Sequence, residues 1–229
     1  MSEERRQARV IQNGNPFADA QKRLGSHFRT VVDAGANVGD VAAHMLANFP
    51  QAIVHAFEPD PDCFLQLQRR YGSELRLRAY AEGLSDTEQP LTLYRYAESG
   101  LNSVRPLCGE AAPYLEGYGT TSSGAMTVPM TTLDSFAEQH GVAQIDFLKL
   151  DLQGWEIACL TGARRMLDQR RIRAVYTEVN FVPLYESQIY YEDVALLLRD
   201  FGFQLFSFYA LSFTAHDQLA WADALFLPA

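Results

Sequence analysis

The sequence predicts an α/β protein built on a doubly wound, mostly parallel sheet, and three observations carry that expectation. Residues 30–59 (TVVDAGANVGDVAAHMLANFPQAIVHAFEP) read as strand, tight glycine turn, helix and second strand, ending on an acid. Beyond them, apolar runs of strand length alternate with stretches of helical period. A chain of 229 residues with 48% apolar side chains suffices for one domain, 1–229, with a substantial core, and argues against disorder.

Residues 1–29 form an extension and helix ahead of the first strand. The polar stretch 1–16 is expected to be frayed or loosely docked. Residues 16–24 place Phe17, Ala20 and Leu24 on one helix face, either packed beside the first strand or also covering a ligand. Val31 and Val32 are β-branched, as a strand buried on both faces requires. In the turn that follows, Gly35 would let a ligand approach the backbone, and Gly39 would let the next helix pack tightly on the sheet. Residues 38–49 carry Val41, Met45, Leu46 and Phe49 at helical spacing. Residues 52–57 return to strand character, closed by Glu58 ahead of Pro59.

Asp60 and Pro61 start a helix whose apolar stripe is Cys63, Phe64, Leu67 and Tyr71. Residues 75–81 read as a third strand at a half-exposed edge, because Arg76 and Arg78 interrupt it. Residues 91–96 alternate like a strand, and 125–131 do so more weakly. Between them, 97–124 is a long Gly/Ser/Thr-rich insertion with scattered Leu and Tyr. Residues 133–140 predict a short helix capped by Gly141. Residues 145–150 form the fourth parallel strand, with Lys149 inside it and Asp151 at its end. Gly154 turns into a helix over 155–169. Residues 172–177 form the fifth strand, leading to Glu178 and Asn180. A helix over 190–201 ends at Gly202, and 203–209 with 221–227 finish the sheet as an antiparallel pair.

The net charge of −9 opposes a sequence-independent grip on nucleic acid. The basic stretch around Arg164, Arg165 and 169–173 fits a solvated helix face. Cys63, Cys108 and Cys159 match neither a disulfide framework nor a zinc site, so a reducing, cytoplasmic location is expected. The charged start MSEERRQAR is no signal peptide, and no apolar run approaches membrane-spanning length. Among the histidines, His55 reads as core, and His216, in a late loop, as the one able to reach a substrate.

A glycine turn with an acid at the next strand end serves two cofactor classes. Glu58 is placed to accept hydrogen bonds from both hydroxyls of a ribose. Dinucleotide folds favour G-x-G-x-x-G, so that helix amides meet a pyrophosphate. Here the spacing is G-x-x-x-G, and Asp33 stands where strand meets turn. Its charge would repel a pyrophosphate and suits a ligand bearing an ammonium and a sulfonium, as S-adenosylmethionine does. An ordinary βαβ unit without ligand is the plain alternative.

VVDAGANVGD (31–40), VHAFEPDP (54–61), GLSD (83–86), TTLDSF (131–136), DFLKLDLQGWE (146–156) and the strand ending in Glu178 resemble class I S-adenosylmethionine-dependent methyltransferases, and within them the FkbM family. The resemblance runs from about residue 30 to the C-terminus. It implies a Rossmann-like, seven-stranded sheet with an antiparallel C-terminal strand, and S-adenosylmethionine as cofactor. It also implies O-methylation of a hydroxyl on a small molecule, sugar or natural product. One departure stands out: the family usually carries Glu where this chain has Gln153.

Asp33, Gly35, Asn37, Gly39, Glu58 and Pro59 are assigned to the cofactor. The resemblance adds the loop 81–86 beside the adenine, with Glu82 or the backbone from Gly83 onward reading its amine. Turn chemistry accounts equally for Ser85 and Asp86. In a class I methyltransferase the fourth strand's end faces the methyl group, which gives Asp151 a place at cofactor and acceptor alike. Asp151 and Glu178 are candidates for the general base or for orienting a hydroxyl, with Lys149 holding one of them. Glu156 reads equally as a helix cap. Asn180 either binds an acceptor hydroxyl or completes an oxygen-rich Mg²⁺ site, the less favoured reading because such sets recur by chance.

Segment 97–124 is expected to cover the substrate, with Tyr114 and Tyr118 contacting the acceptor and Asn102 and Ser103 hydrogen-bonding to it. A loop packed permanently on the sheet edge is the alternative. Expected partners are a small-molecule or sugar acceptor, with no nucleic acid and no membrane. Two other functions compete. One is a non-catalytic cofactor- or partner-binding module, which Gln153 keeps open. The other is an NAD-dependent oxidoreductase, against which Asp33 and the glycine spacing count.

Overall fold

The structure, a computed structural model, describes residues 9–229. In chain order its elements are β1 (Arg9–Ile11), α1 (Pro16–Leu24), β2 (Thr30–Ala34), α2 (Asp40–Asn48), β3 (Ile53–Phe57), α3 (Pro61–Tyr71), β4 (Leu77–Tyr80), β5 (Gly83–Leu84), β6 (Leu91–Tyr96), β7 (Ser122–Val128), β8 (Met130–Thr131), α4 (Leu133–Gln139), β9 (Phe147–Leu150), α5 (Glu156–Thr161), α6 (Arg164–Asp168), β10 (Val175–Asn180), α7 (Tyr191–Asp200), β11 (Phe203–Phe213) and β12 (Leu219–Pro228).

Residues two apart on a strand share a face, so a strand with apolar neighbours throughout must be covered on both sides. Val31, Phe147 and Val54 accordingly enter one core with α1 and α2, while Val32, Leu148 and Val175 enter the other with α4 to α7. The sheet between these layers has the order β1-β11-β12-β10-β9-β2-β3-β4. β10, β9, β2, β3 and β4 are parallel neighbours, and β12 runs antiparallel between β10 and β11. This is the expected doubly wound sheet with its antiparallel C-terminal strand, enlarged by one strand.

The extra strand lies where a loose terminus was expected. Arg9, Val10 and Ile11 pair with Phe213, Ser212 and Leu211, and Arg9 forms a 2.6 Å ion pair with Asp217. The free edge of β11 supplies the backbone partners that keep these residues docked. The expectation for residues 1–8 lies outside the described residues.

Two further differences have physical causes. The helix expected over 155–169 is two helices, α5 and α6, broken after Gly162. Asp134 of α4 accepts from the amides of Arg165 (2.8 Å) and Met166 (3.0 Å), capping α6 as a separate helix. A Cβ on Gly162 would also lie 1.9 Å from the Ser85 carbonyl oxygen, so this break sits against the loop after β5.

The Gly/Ser/Thr-rich insertion 97–124 has a core of its own. Leu101, Ala111 and Leu115 are buried against Val182, Leu184, Tyr185 and Ala220, with Tyr118 and Trp221 packed beside them. Its flanking strands β6 and β7 pair as an antiparallel ribbon outside the main sheet. Among the described residues no helix is long and apolar enough to cross a membrane.

Candidate active site

β2, β3 and β9 are parallel neighbours, so the residues following them gather on one edge of the sheet. There Gly35, Asn37, Glu58, Pro59 and Asp151 line a cavity open to solvent, together with Gly83, Met130, Trp155 and residues from Ser99 to Val104. Gly35 has φ 73°, and a Cβ there would lie 2.0 Å from the Asp151 carbonyl oxygen. Only glycine lets this turn close against the end of β9.

Glu58 is fixed by the backbone on either side of it. Its Oε2 accepts from the Asn37 amide at 2.7 Å and its Oε1 from the Asp60 amide at 2.8 Å. Burial nonetheless raises its pKa to about 7 against these two donors. Each oxygen retains acceptor capacity toward the cavity. Across from it, Trp155 donates from Nε1 to Ser85 Oγ (3.1 Å), and Arg105 lies over the indole ring, 5.0 Å from its centroid. Trp155 and Met130 thus line the same cavity as the Glu58 carboxylate.

At the other end stand the acids. Gln153 donates from Nε2 to Asp151 Oδ1 (2.6 Å) and Glu178 Oε1 (3.2 Å). Burial, then the charges of Asp151, Asp223 and Glu156, push the Glu178 carboxyl well above the usual range. Lys149 Nζ is 3.0 Å from Asp33 Oδ1 and 3.7 Å from Asp151 Oδ2. A second cavity adjoins the first at Gly100 and Gln153, and Leu101, Leu115, Tyr118, Glu178, Leu184 and Trp221 line it. A third, beside α1, reaches Lys149 and Asp151 past Phe17, His44, Tyr176 and Asp223.

The expected residues sort unevenly. Gly35, Asn37, Glu58, Pro59, Gly83 and Asp151 line the first cavity; Asn102 and Ser103 do too, although they were assigned to the acceptor. Their polar atoms tie the insertion down instead: Asn102 Nδ2 donates to Asp60 (3.1 Å), and Ser103 Oγ donates to the Gln153 carbonyl (2.7 Å). Tyr118 and Glu178 line the second cavity; Tyr114 packs into the insertion's own core.

Five further expected residues are not brought to these walls. Asp33 is wholly buried behind the turn and faces Lys149 rather than a ligand. Gly39 packs on α3, where a Cβ would meet Leu67 at 2.6 Å. Glu82 lies outside the lining, and buried Asn180 leaves its Oδ1 without a partner. His216 sits in the turn between β11 and β12, accepting no role at either cavity. Among the described residues no group of three or more His, Cys, Asp or Glu is arranged to hold a metal ion.

Sequence reasoning missed Trp155 and Met130 in the lining of the first cavity, Tyr185 bonded to Gln153, and the Asp60–Arg95 ion pair (2.6 Å). Trp155 had a signal, since it lies between Gly154 and Glu156 at the fourth strand's end. Tyr185 had none: it stands in an irregular segment whose partners are distant in sequence.

Comparison with known proteins bears on the family and the fold. Residues 33–205 match the methyltransferase FkbM domain. The chain belongs to the FkbM methyltransferase family. This FkbM methyltransferase is 27% identical over 175 residues to the 2-O-methyltransferase NoeI of Sinorhizobium fredii, covering 75% of this chain and 71% of that protein. It is 28% identical over 217 residues to the methyltransferase sdnD of Sordaria araneosa, covering 86% and 78%. Its fold matches the METTL16 MTase domain with a TM-score of 0.51 at 11% identity, over 93% of this chain and 64% of that one.

Proposed function

We propose that this methyltransferase uses S-adenosylmethionine to methylate a hydroxyl of a small molecule, sugar or natural product. The observation that carries the reading is the continuity of the two cavities, with Glu58 at one end and the Asp151–Gln153–Glu178 cluster where they join. Glu58 would accept from the ribose hydroxyls, and Trp155 and Met130 would flank the adenine. The donor set fits: a buried carboxylate for hydroxyls, an apolar wall for a flat ring, and acids near a sulfonium. The cofactor, when bound, supplies a methyl carbon already activated by positive sulfur.

The protein's part is alignment, exclusion of water and proton management. The second cavity, walled by Tyr118, Trp221, Leu115 and Leu184, would hold the acceptor's apolar faces. Glu178 would face its hydroxyl. A carboxylate with a raised pKa is a better proton acceptor than an ordinary one, so Glu178 suits the base and Asp151 the orienting role. The name of NoeI supports oxygen as the methylated atom, and the net charge of −9 favours an uncharged acceptor over nucleic acid. A cytoplasmic setting belongs to the same proposal, on the strength of three free cysteines.

Calorimetric titration with S-adenosylmethionine, S-adenosylhomocysteine and NAD tests the cofactor. The first two are expected to bind, and binding of NAD alone would overturn the reading. Transfer of a ¹³C-methyl group to a panel of polyhydroxylated acceptors tests the atom, since a label found on nitrogen or carbon would remove the O-methylation.

A further inference from the structure

Gln153 stands just beyond β9 with φ 53°, in the left-handed region. For a side chain other than glycine such a backbone costs on the order of 1 kcal/mol and is kept only where surrounding contacts enforce it. Three contacts do so. Nε2 reaches Asp151 Oδ1 at 2.6 Å and Glu178 Oε1 at 3.2 Å, and Oε1 accepts from the Tyr185 hydroxyl at 2.6 Å. The Gln153 carbonyl also accepts from Ser103 Oγ at 2.7 Å.

These partners fix the amide's orientation. A phenol hydroxyl can donate to Oε1 or accept from Nε2, so Tyr185 alone would allow either. Carboxylate oxygens that carry no proton can only accept. Turned around, the amide would set its oxygen against both of them. One orientation satisfies all three groups, with each amide N–H aimed at a different acid.

We propose that Gln153 is a positioning residue that joins Asp151 and Glu178 through its two N–H bonds, taking the place a divalent cation would fill between them, so that Gln153→Glu creates a divalent-cation site. Two carboxylates within reach of one nitrogen repel each other unless a proton, a cation or hydrogen-bond donors lie between. The other groups around them do not supply that link. Asp223 and Glu156 are acids, Tyr185 donates to Gln153, and Lys149, 3.7 Å from Asp151, lies closer to the Gly35 carbonyl (2.8 Å) and to Asp33 (3.0 Å). Gln153 is the donor common to both acids. A glutamate of the same length would replace two N–H groups with a third set of carboxylate oxygens, the ligand type that hard divalent cations take.

The inference rests on the proposed methyl-transfer reading only for what the acid pair does, so its test uses the full chain without cofactor or acceptor. Mn²⁺ is titrated calorimetrically, and by its free electron-spin signal, into wild type, Gln153→Glu and Gln153→Ala. Gln153→Glu is expected to bind Mn²⁺ at least tenfold tighter than wild type, and Gln153→Ala, which merely removes the donors, to fall between. Adding Asp151→Asn to Gln153→Glu is expected to abolish the gain. Should Gln153→Glu fail to fold, the Ala variant against wild type decides. Equal Mn²⁺ affinity in wild type and the folded variants overturns the proposal, as does tight binding by wild type itself. S-adenosylhomocysteine binding, measured separately on wild type, judges the cofactor reading, so the two failures are distinguishable.

Discussion

Lys149 Nζ on β9 lies 3.0 Å from Asp33 Oδ1 on β2, in register across two parallel strands, with both side chains buried. The same ammonium donates to the Gly35 carbonyl at 2.8 Å. Burial alone would lower the lysine's pKa, but Asp33 and Asp151 outweigh it and hold the ammonium charged. The pair therefore locks the glycine turn to the strand that carries Asp151.

Removing one partner leaves a buried charge without a counter-charge. Lys149→Met is expected to destabilise the fold by about 3–5 kcal/mol in urea unfolding. Asp33→Asn combined with Lys149→Met is expected to recover at least half of that loss, because the fully buried carboxylate is then removed as well. A single-variant loss below about 1 kcal/mol would mean the pair is solvated in solution.

Glu58 and Glu156 carry a second consequence of burial. The pKa of each is raised to about 7, above the value of an exposed glutamate. In the window between the ordinary carboxylate value and 7 the folded state binds more protons than the unfolded one. Stability is then greatest in mild acid and falls as pH rises through 7. Glu156 Oε1 accepts from the Leu152 (2.9 Å) and Gly154 (3.3 Å) amides, contacts that a glutamine oxygen keeps. Glu156→Gln is expected to flatten the pH dependence of urea midpoints between pH 5 and 8, by on the order of 3 kcal/mol. A profile identical to wild type would show that Glu156 ionises normally.

The parts that were legible in the sequence are those whose signal is local. Val31 beside Val32 announces a strand covered twice, and both cores receive one of them. Glu58 before Pro59 marks a strand end at the cavity. What was not legible depends on partners far along the chain. Asp33 looks like a ligand contact until β9 places Lys149 opposite it. The break between α5 and α6 is set by Asp134, and the core of the insertion forms because Val182 and Leu184 come to meet it. Gln153 was visible as a departure, but its meaning needed Tyr185, which carries no pattern of its own.

With Glu58 holding the ribose as proposed, cofactor affinity is expected to depend on pH. Ribose hydroxyls donate, so they favour the ionised carboxylate. S-adenosylhomocysteine affinity is expected to rise between pH 6 and 8 in wild type. In Glu58→Gln it is expected to be flat across that range and weaker at pH 8 by about 1–3 kcal/mol. Equal affinities at pH 8 would remove Glu58 from the ribose.

The insertion gives the last prediction. A lid open in free solution would exchange its amides quickly and protect them only around bound ligands. The structure has the segment anchored already. Tyr94 and Ser103 exchange backbone hydrogen bonds at 2.8 and 3.1 Å, and the Cys108 amide donates to Leu184 at 2.9 Å. Arg95 pairs with Asp60 at 2.6 Å, fastening the adjoining ribbon to the start of α3. Leu101 and Leu115 are buried, so opening would expose apolar surface and break these bonds together. Amides of Leu101, Ser103 and Cys108 are therefore expected to be protected in the ligand-free protein, while exposed Ser123 and Gly124 exchange fast. Leu115→Ala is expected to cost about 2 kcal/mol and to erase that protection without unfolding the main sheet. Exchange at Ser103 and Cys108 as fast as in an unstructured peptide would establish an open segment in solution, and make its closure part of ligand binding.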